Sequence, residues 1–164
     1  MQMKDHIIDM ANYHVWAYQR LFAKIDQLND EEYYKDYGLF FKSIHKTLNH
    51  LYLADKLWYS RFNQGEFYTQ NLNDELCTDR SELKNLIIIQ AEIWINYVNQ
   101  LENHPELVHY IQTNGQESHM PFMSTIAHVF NHGTHHRGQI STILSQLNQE
   151  TPELDFSAYL RSKK

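Results

Sequence analysis

Four imidazoles fall within nine positions of the segment His128-Val129-Phe130-Asn131-His132-Gly133-Thr134-His135-His136-Arg137-Gly138-Gln139. The apolar residues around them recur at helical spacing, and on a helix residues four apart stand one above the other. His132 and His136 therefore aim two ring nitrogens at one place, as two ligands of a divalent metal ion must. His128 continues that line one turn earlier, and His135 is rotated by roughly 100° from His136. Spacing leaves open whether either joins the site. Ile126, Val129, Ile140 and Ile143 mark the buried face, with His136 on it and His132 at its edge. A lone histidine on such a face is usually a hydrogen-bonded core residue, and surface helices also carry four-apart pairs. Several unpartnered imidazoles are costly to bury, however, and a metal removes that cost. Gly133 and Gly138 each weaken the helix by about 1 kcal/mol relative to Ala. Their presence implies close approach by another group, or tight helix packing.

A third ligand must come from elsewhere, and His50 in Leu48-Asn49-His50-Leu51-Tyr52-Leu53-Ala54 is the best candidate, at the edge of an apolar seam. His14 is a weaker one. His45 lies five residues before His50 and points away from it. It is read as solvated, together with His6, His104, His109 and His119. Three neutral imidazoles leave an ion with an open coordination position, as catalytic sites do. They suit zinc, nickel, copper or iron better than magnesium or calcium. Such an ion brings the pKa of a bound water to about 7 and deprotonates a bound thiol. The metalloprotease helix signature is absent, because Gly133 stands where that motif needs a glutamate base.

Four long helical stretches must position these residues. The first runs from about Lys4 to Leu28, where Asn29-Asp30 breaks it. The second spans Ser43, a plausible N-cap, to Phe62. The third begins at Thr78 or Asp79 and reaches Leu101. Within 107–120, Asn114-Gly115 between β-prone residues signals a hairpin with a two-residue loop. Pro121 suits the first turn of the fourth helix, which continues to Leu147 and gives way to an irregular tail after Thr151-Pro152. The expected fold is all-α, a four-helix bundle with a small β-hairpin or extended segment before the last helix, filling 1–164 as a single domain.

The chain has 164 residues, 42% of them apolar, with 5 Gly and 3 Pro. A domain of this size buries roughly 70% of the surface of its unfolded chain, so it needs neither metal nor disulfide to fold. Twenty acidic against 14 basic side chains give a net charge of −6. No basic footprint for nucleic acid follows from that balance, and Lys163-Lys164 reads as a solvated end. Cys77 is the only cysteine, which excludes an internal disulfide. The amino-terminal residues lack the apolar core of a signal peptide, and the run Leu86-Ile89 is too short for a membrane span. A cytoplasmic protein with no nucleic-acid or membrane partner is expected.

The two histidine motifs together resemble the DinB/YfiT-like family of metal-binding four-helix bundles. The match is His50 with Ala54 and Trp58, then His132, His136, Arg137, Gly138 and Gln139, in the family's order and separation. The resemblance covers nearly the whole chain and implies a metal triad of His50, His132 and His136. It implies zinc, nickel or a related divalent ion, and often a homodimer. Characterised relatives include transferases and isomerases that use low-molecular-weight thiols such as bacillithiol or mycothiol. The expected function is thus a metal-dependent S-transferase that joins a small thiol to an electrophile. Arg137 would help hold an anionic cofactor and Gln139 would support the site by a hydrogen bond. The alternatives are a metal-dependent hydrolase, for which Asp55 and Glu92 offer no unambiguous base, and a non-enzymatic metal-binding stress-response protein. The 22 aromatic residues would then serve a partner interface as well as the core.

Overall fold

Ile7, Ala11, His14, Tyr18, Leu21 and Ile25 recur in steps of three and four, and this stripe becomes the buried face of helix α1, Met3–Ile25. The computed structural model describes residues 3–163. Met1-Gln2 and Lys164, which entered the reading of the two ends, lie outside them. Asn29 does not simply end α1. Its Oδ1 accepts from the Glu32 N–H (2.9 Å) while Glu32 Oε2 accepts from the Asn29 N–H (3.1 Å). This reciprocal capping box starts a short helix α2, Asp30–Tyr34, that the sequence reading missed.

Helix α3, Ile44–Asn63, starts as expected at Ser43, whose Oγ accepts from the Lys46 N–H at 3.1 Å. Asp79 starts α4, Arg80–Asn99, by accepting from the Glu82 N–H at 2.7 Å. That bond decides between Thr78 and Asp79. Strands β1, Leu107–Ile111, and β2, Glu117–Pro121, form an antiparallel pair with Leu107 opposite Pro121. The hairpin loop has three residues, not two. The Gln112 N–H donates to Gln116 O and the Gly115 N–H to Gln112 O, with Gly115 at φ +84°. A left-handed third residue keeps the turn in step with strand twist, and glycine adopts it freely. Helix α5, Phe122–Gln146, follows directly, with Pro121 at its cap position rather than in its first turn.

The tail is not irregular throughout either. Residues Phe156–Ser162 form helix α6, which docks on α1 because Phe156 and Tyr159 share one side and meet Tyr13 edge-on. The Tyr13 hydroxyl also donates to Leu154 O at 2.6 Å.

Helices α1 and α3 each pack against both α4 and α5. Their interior is split. One apolar cluster gathers Tyr18, Leu21, Leu48, Leu51, Ile87, Ala91, Ile140 and Ile143. The other gathers Ile7, Ala11, Phe62, Trp94, Ile126, Val129 and Phe130. Between them, on each of three helices, lies a polar residue: His14 on α1, Asp55 on α3 and Arg137 on α5. Among the described residues no helix is long and apolar enough to cross a membrane.

Candidate metal centre

The polar layer explains how α5 comes so near α1. His14 Nε2–H donates to Asp55 Oδ2 at 2.8 Å, and Arg137 Nη1 donates to His14 Nδ1 at 3.0 Å. Burial pushes the His14 pKa down, against the pull of Asp55, which keeps the ring neutral and able to accept from Arg137. A Cβ on Gly133 would lie 2.5 Å from His14 Cε1 and 2.7 Å from Arg137 Nη1. Glycine at 133 is therefore the condition for this contact, as its presence in mid-helix suggested. Gly138 has nothing within 4 Å of a built Cβ, so close approach does not account for it.

The same register of α5 against α3 brings the three expected ligands together. His132 Nε2 is 3.2 Å from His50 Nε2 and 3.1 Å from His136 Nε2. One ligand atom from each of these residues lies within 4.8 Å of the other two. Two nitrogens bound at about 2.0–2.1 Å to a tetrahedral ion stand roughly 3.3 Å apart, so the observed separations fit one shared ion.

Protonation makes the case stronger than distance alone. His50 Nδ1 faces Leu72 O at 3.1 Å, and His136 Nδ1 faces Gln139 Oε1 at 2.7 Å. Both partners are acceptors, so each Nδ1 carries the proton and each Nε2 presents a bare lone pair. His132 Nε2 has one hydrogen at most and cannot satisfy both neighbours. A divalent cation resolves that conflict, and the donor set therefore fits such an ion. Burial holds His50 down to about 4 and His132 to about 3, the latter also by its neighbouring imidazoles, and lowers His136. All three stay neutral near pH 7, the form that binds metal.

The remaining histidines separate clearly. His128 is exposed and edge-on to Trp58, and its ring centroid lies 5.9 Å from that of His132. His135 is exposed with Nε2 near Gln139 Nε2. His14 belongs to the polar layer. His104, His109 and His119 are exposed, and His6 is half-buried beside Phe156. His45 corrects the reading, because it is buried at 2% exposure rather than solvated. Tyr33 of α2 donates to its Nδ1 at 3.2 Å, and its Nε2 faces Glu75 at 2.9 Å. The missed helix α2 supplies the cover.

Arg137, at 1% exposure, is directed to His14 and Thr134. Gln139 Oε1 lies 2.7 Å from His136 Nδ1. Asp55 is buried against His14, and Glu92 is exposed on α4. Sequence reasoning also missed Phe41, whose ring stacks on His50 with centroids 3.8 Å apart, and the loop that supplies Leu72 O. That loop is pinned by Asn49, which accepts the Leu76 and Cys77 N–H groups at 2.9 and 3.0 Å. Asn49 directly precedes His50, which was the only available signal.

Two clefts meet at His50. One, of about 350 Å³, is walled by Trp58, Tyr110, His128 and His132. The hairpin forms its edge, held by Arg61, which donates to Ile111 O and lies over the Trp58 and Tyr110 rings. The other, of about 280 Å³, lies beside Phe40, Phe41, Lys42 and Lys46.

Long helices, a hairpin before α5 and three histidines drawn from α3 and α5 define the class of protein. A DinB family profile matches residues 1–164, and the chain belongs to that family. It is similar to Protein DinB of Bacillus subtilis (strain 168), with 27% identity over 169 residues that cover 96% of this chain and 95% of the relative.

Proposed function

We propose that the chain is a metal-dependent S-transferase that joins a low-molecular-weight thiol, such as bacillithiol, to a small electrophile. The observation that carries this reading is the convergence of three Nε2 atoms, two of them with Nδ1 held by an acceptor. A zinc or nickel ion bound there would supply Lewis acidity that favours the thiolate near neutral pH. His50, His132 and His136 would hold it. The Trp58–Tyr110 cleft offers aromatic walls to an apolar electrophile. Phe41, stacked on His50, shields that ligand from water. We read the four long helices as a four-helix bundle, the working form as a homodimer, and the setting as the cytoplasm, where small thiols stay reduced.

Hydrolysis has less support, since Asp55 is committed to His14 and Glu92 faces solvent. A purely structural ion in a stress-response protein also has less support, because apolar clusters lie on both sides of an already bonded polar layer. The test is conjugation of several bacterial thiols to a model electrophile, followed by mass spectrometry on metal-stripped and metal-restored protein. Conjugation is expected only with metal and is lost in His132→Ala. Absence of metal-dependent conjugation with every thiol overturns the reading.

A further inference from the structure

The hairpin before α5 carries two histidines that the three-histidine centre does not use. His109 on β1 stands directly opposite His119 on β2. The Gln112 N–H donates to Gln116 O near one end of the ladder, and the Phe122 N–H donates to Glu106 O at the other. Bonded and unbonded pairs alternate along antiparallel strands, so the bonds fall at Val108–Met120 and Tyr110–Ser118 and skip the pair between. His109 and His119 are therefore a non-hydrogen-bonded pair, the kind whose facing Cα atoms come closest, at about 4.5 Å.

The rings follow the backbone. Their centroids lie 5.6 Å apart, with the planes tilted by 35°. Two imidazoles bound at about 2.0–2.1 Å to one tetrahedral ion hold their centres roughly 5 Å apart. In the three-histidine centre, the His50 and His132 centroids stand at 5.1 Å. Both hairpin rings are exposed, and among the described residues neither has a hydrogen-bond partner. Side-chain alternation puts Glu117 on the same face, adding negative charge beside the pair. The strand itself is already fastened. Arg61 donates to Ile111 O at 3.0 Å, and the Tyr68 hydroxyl donates to Gln112 O at 3.0 Å.

We propose that His109 and His119 form a second, weaker site for an imidazole-preferring divalent ion such as zinc, with water completing its coordination. Two protein ligands in place of three make it fill after the three-histidine centre. Tyr110, next to His109, turns to the other face of β1 and walls the cleft that also contains His132. An ion bound across the two strands staples the hairpin at that point and stiffens this wall. The site does not depend on which reaction the three-histidine centre carries out.

The test uses tag-free, full-length protein loaded with one equivalent of zinc, which fills the three-histidine centre alone. Equilibrium dialysis against rising free zinc near neutral pH is expected to add a second equivalent to wild type. His109→Gln and His119→Gln each lose that equivalent, while His104→Gln, at an exposed histidine outside the pair, retains it. At free zinc about tenfold above the second Kd, hydrogen exchange of the Tyr110 and Ser118 amides should slow about tenfold, because the opened hairpin cannot hold the ion. That slowing is absent in His119→Gln. A wild type that takes up no second equivalent, or a second equivalent that survives in both variants, overturns the site. Unslowed exchange in the occupied wild type overturns the stapling.

Discussion

The His136 Nδ1–H donates to the Oε1 of Gln139 at 2.7 Å, within one turn of α5, and this turns a bare Nε2 toward His132. His50 is oriented differently, by Leu72 O on the loop between α3 and α4. One imidazole is thus set by its own helix and the other by a loop that Asn49 fastens. Groups that orient metal-binding imidazoles typically change affinity by 10–100-fold when removed.

Gln139→Leu is accordingly expected to weaken zinc binding by about 10–100-fold, whereas Gln139→Glu, which keeps an acceptor, retains it. Competition against a chromophoric chelator measures both. Equal affinity in wild type and Gln139→Leu would show that the bond does not orient the ligand.

The metal-free protein should lose stability in mild acid. Unfolded histidine titrates near 6.5, while burial holds His50 to about 4 and His132 to about 3 in the folded chain. As pH falls below about 6.5 the unfolded state takes up protons that the folded state refuses, so stability is full above that value and declines toward pH 4 and 3. Tm of chelator-treated protein measured from pH 7 to pH 5 should fall, and His132→Leu should flatten the decline. A wild-type Tm that holds or rises over that range contradicts the argument.

The two glycines of α5 should respond oppositely to alanine. Gly133→Ala forces a methyl against His14 and Arg137 and is expected to cost about 1–3 kcal/mol. Gly138→Ala meets nothing and should gain up to about 1 kcal/mol of helix propensity. Denaturant midpoints decide this, and equal effects at the two positions would refute the close approach.

Asp55, at 2% exposure, provides the carboxylate of the layer that holds His14 and Arg137. Asp55→Ala leaves a buried guanidinium without that charge and should cost about 3–5 kcal/mol in urea unfolding. A loss under about 1 kcal/mol would mean that the layer contributes little.

The long helices and the pair His132 and His136 were legible because their signals are periodic or paired in sequence, whereas His50 rested on its place at the edge of an apolar seam. The four-residue step from His132 to His136 and the three-four rhythm of α1 both survive folding directly. What escaped depends on contacts between distant segments. His45 looked exposed because nothing near it in sequence reveals that Tyr33 and Glu75 cover it. Arg137 suggested ligand binding, yet it turns inward because Gly133 lets His14 reach it. Helix α2 was legible in Asn29 and Glu32, whose spacing is that of a capping box, but Asn29-Asp30 by itself reads only as a break. Helix α6 depends on Tyr13, more than 140 positions away.

The central claim is that His50, His132 and His136 bind one divalent ion through Nε2. Crystals of zinc-loaded protein, measured on either side of the zinc absorption edge, test it most directly. One anomalous peak per chain is expected, at about 2.0–2.1 Å from all three Nε2 atoms. Zinc bound elsewhere, or these three nitrogens left without an ion at saturating zinc, would contradict it.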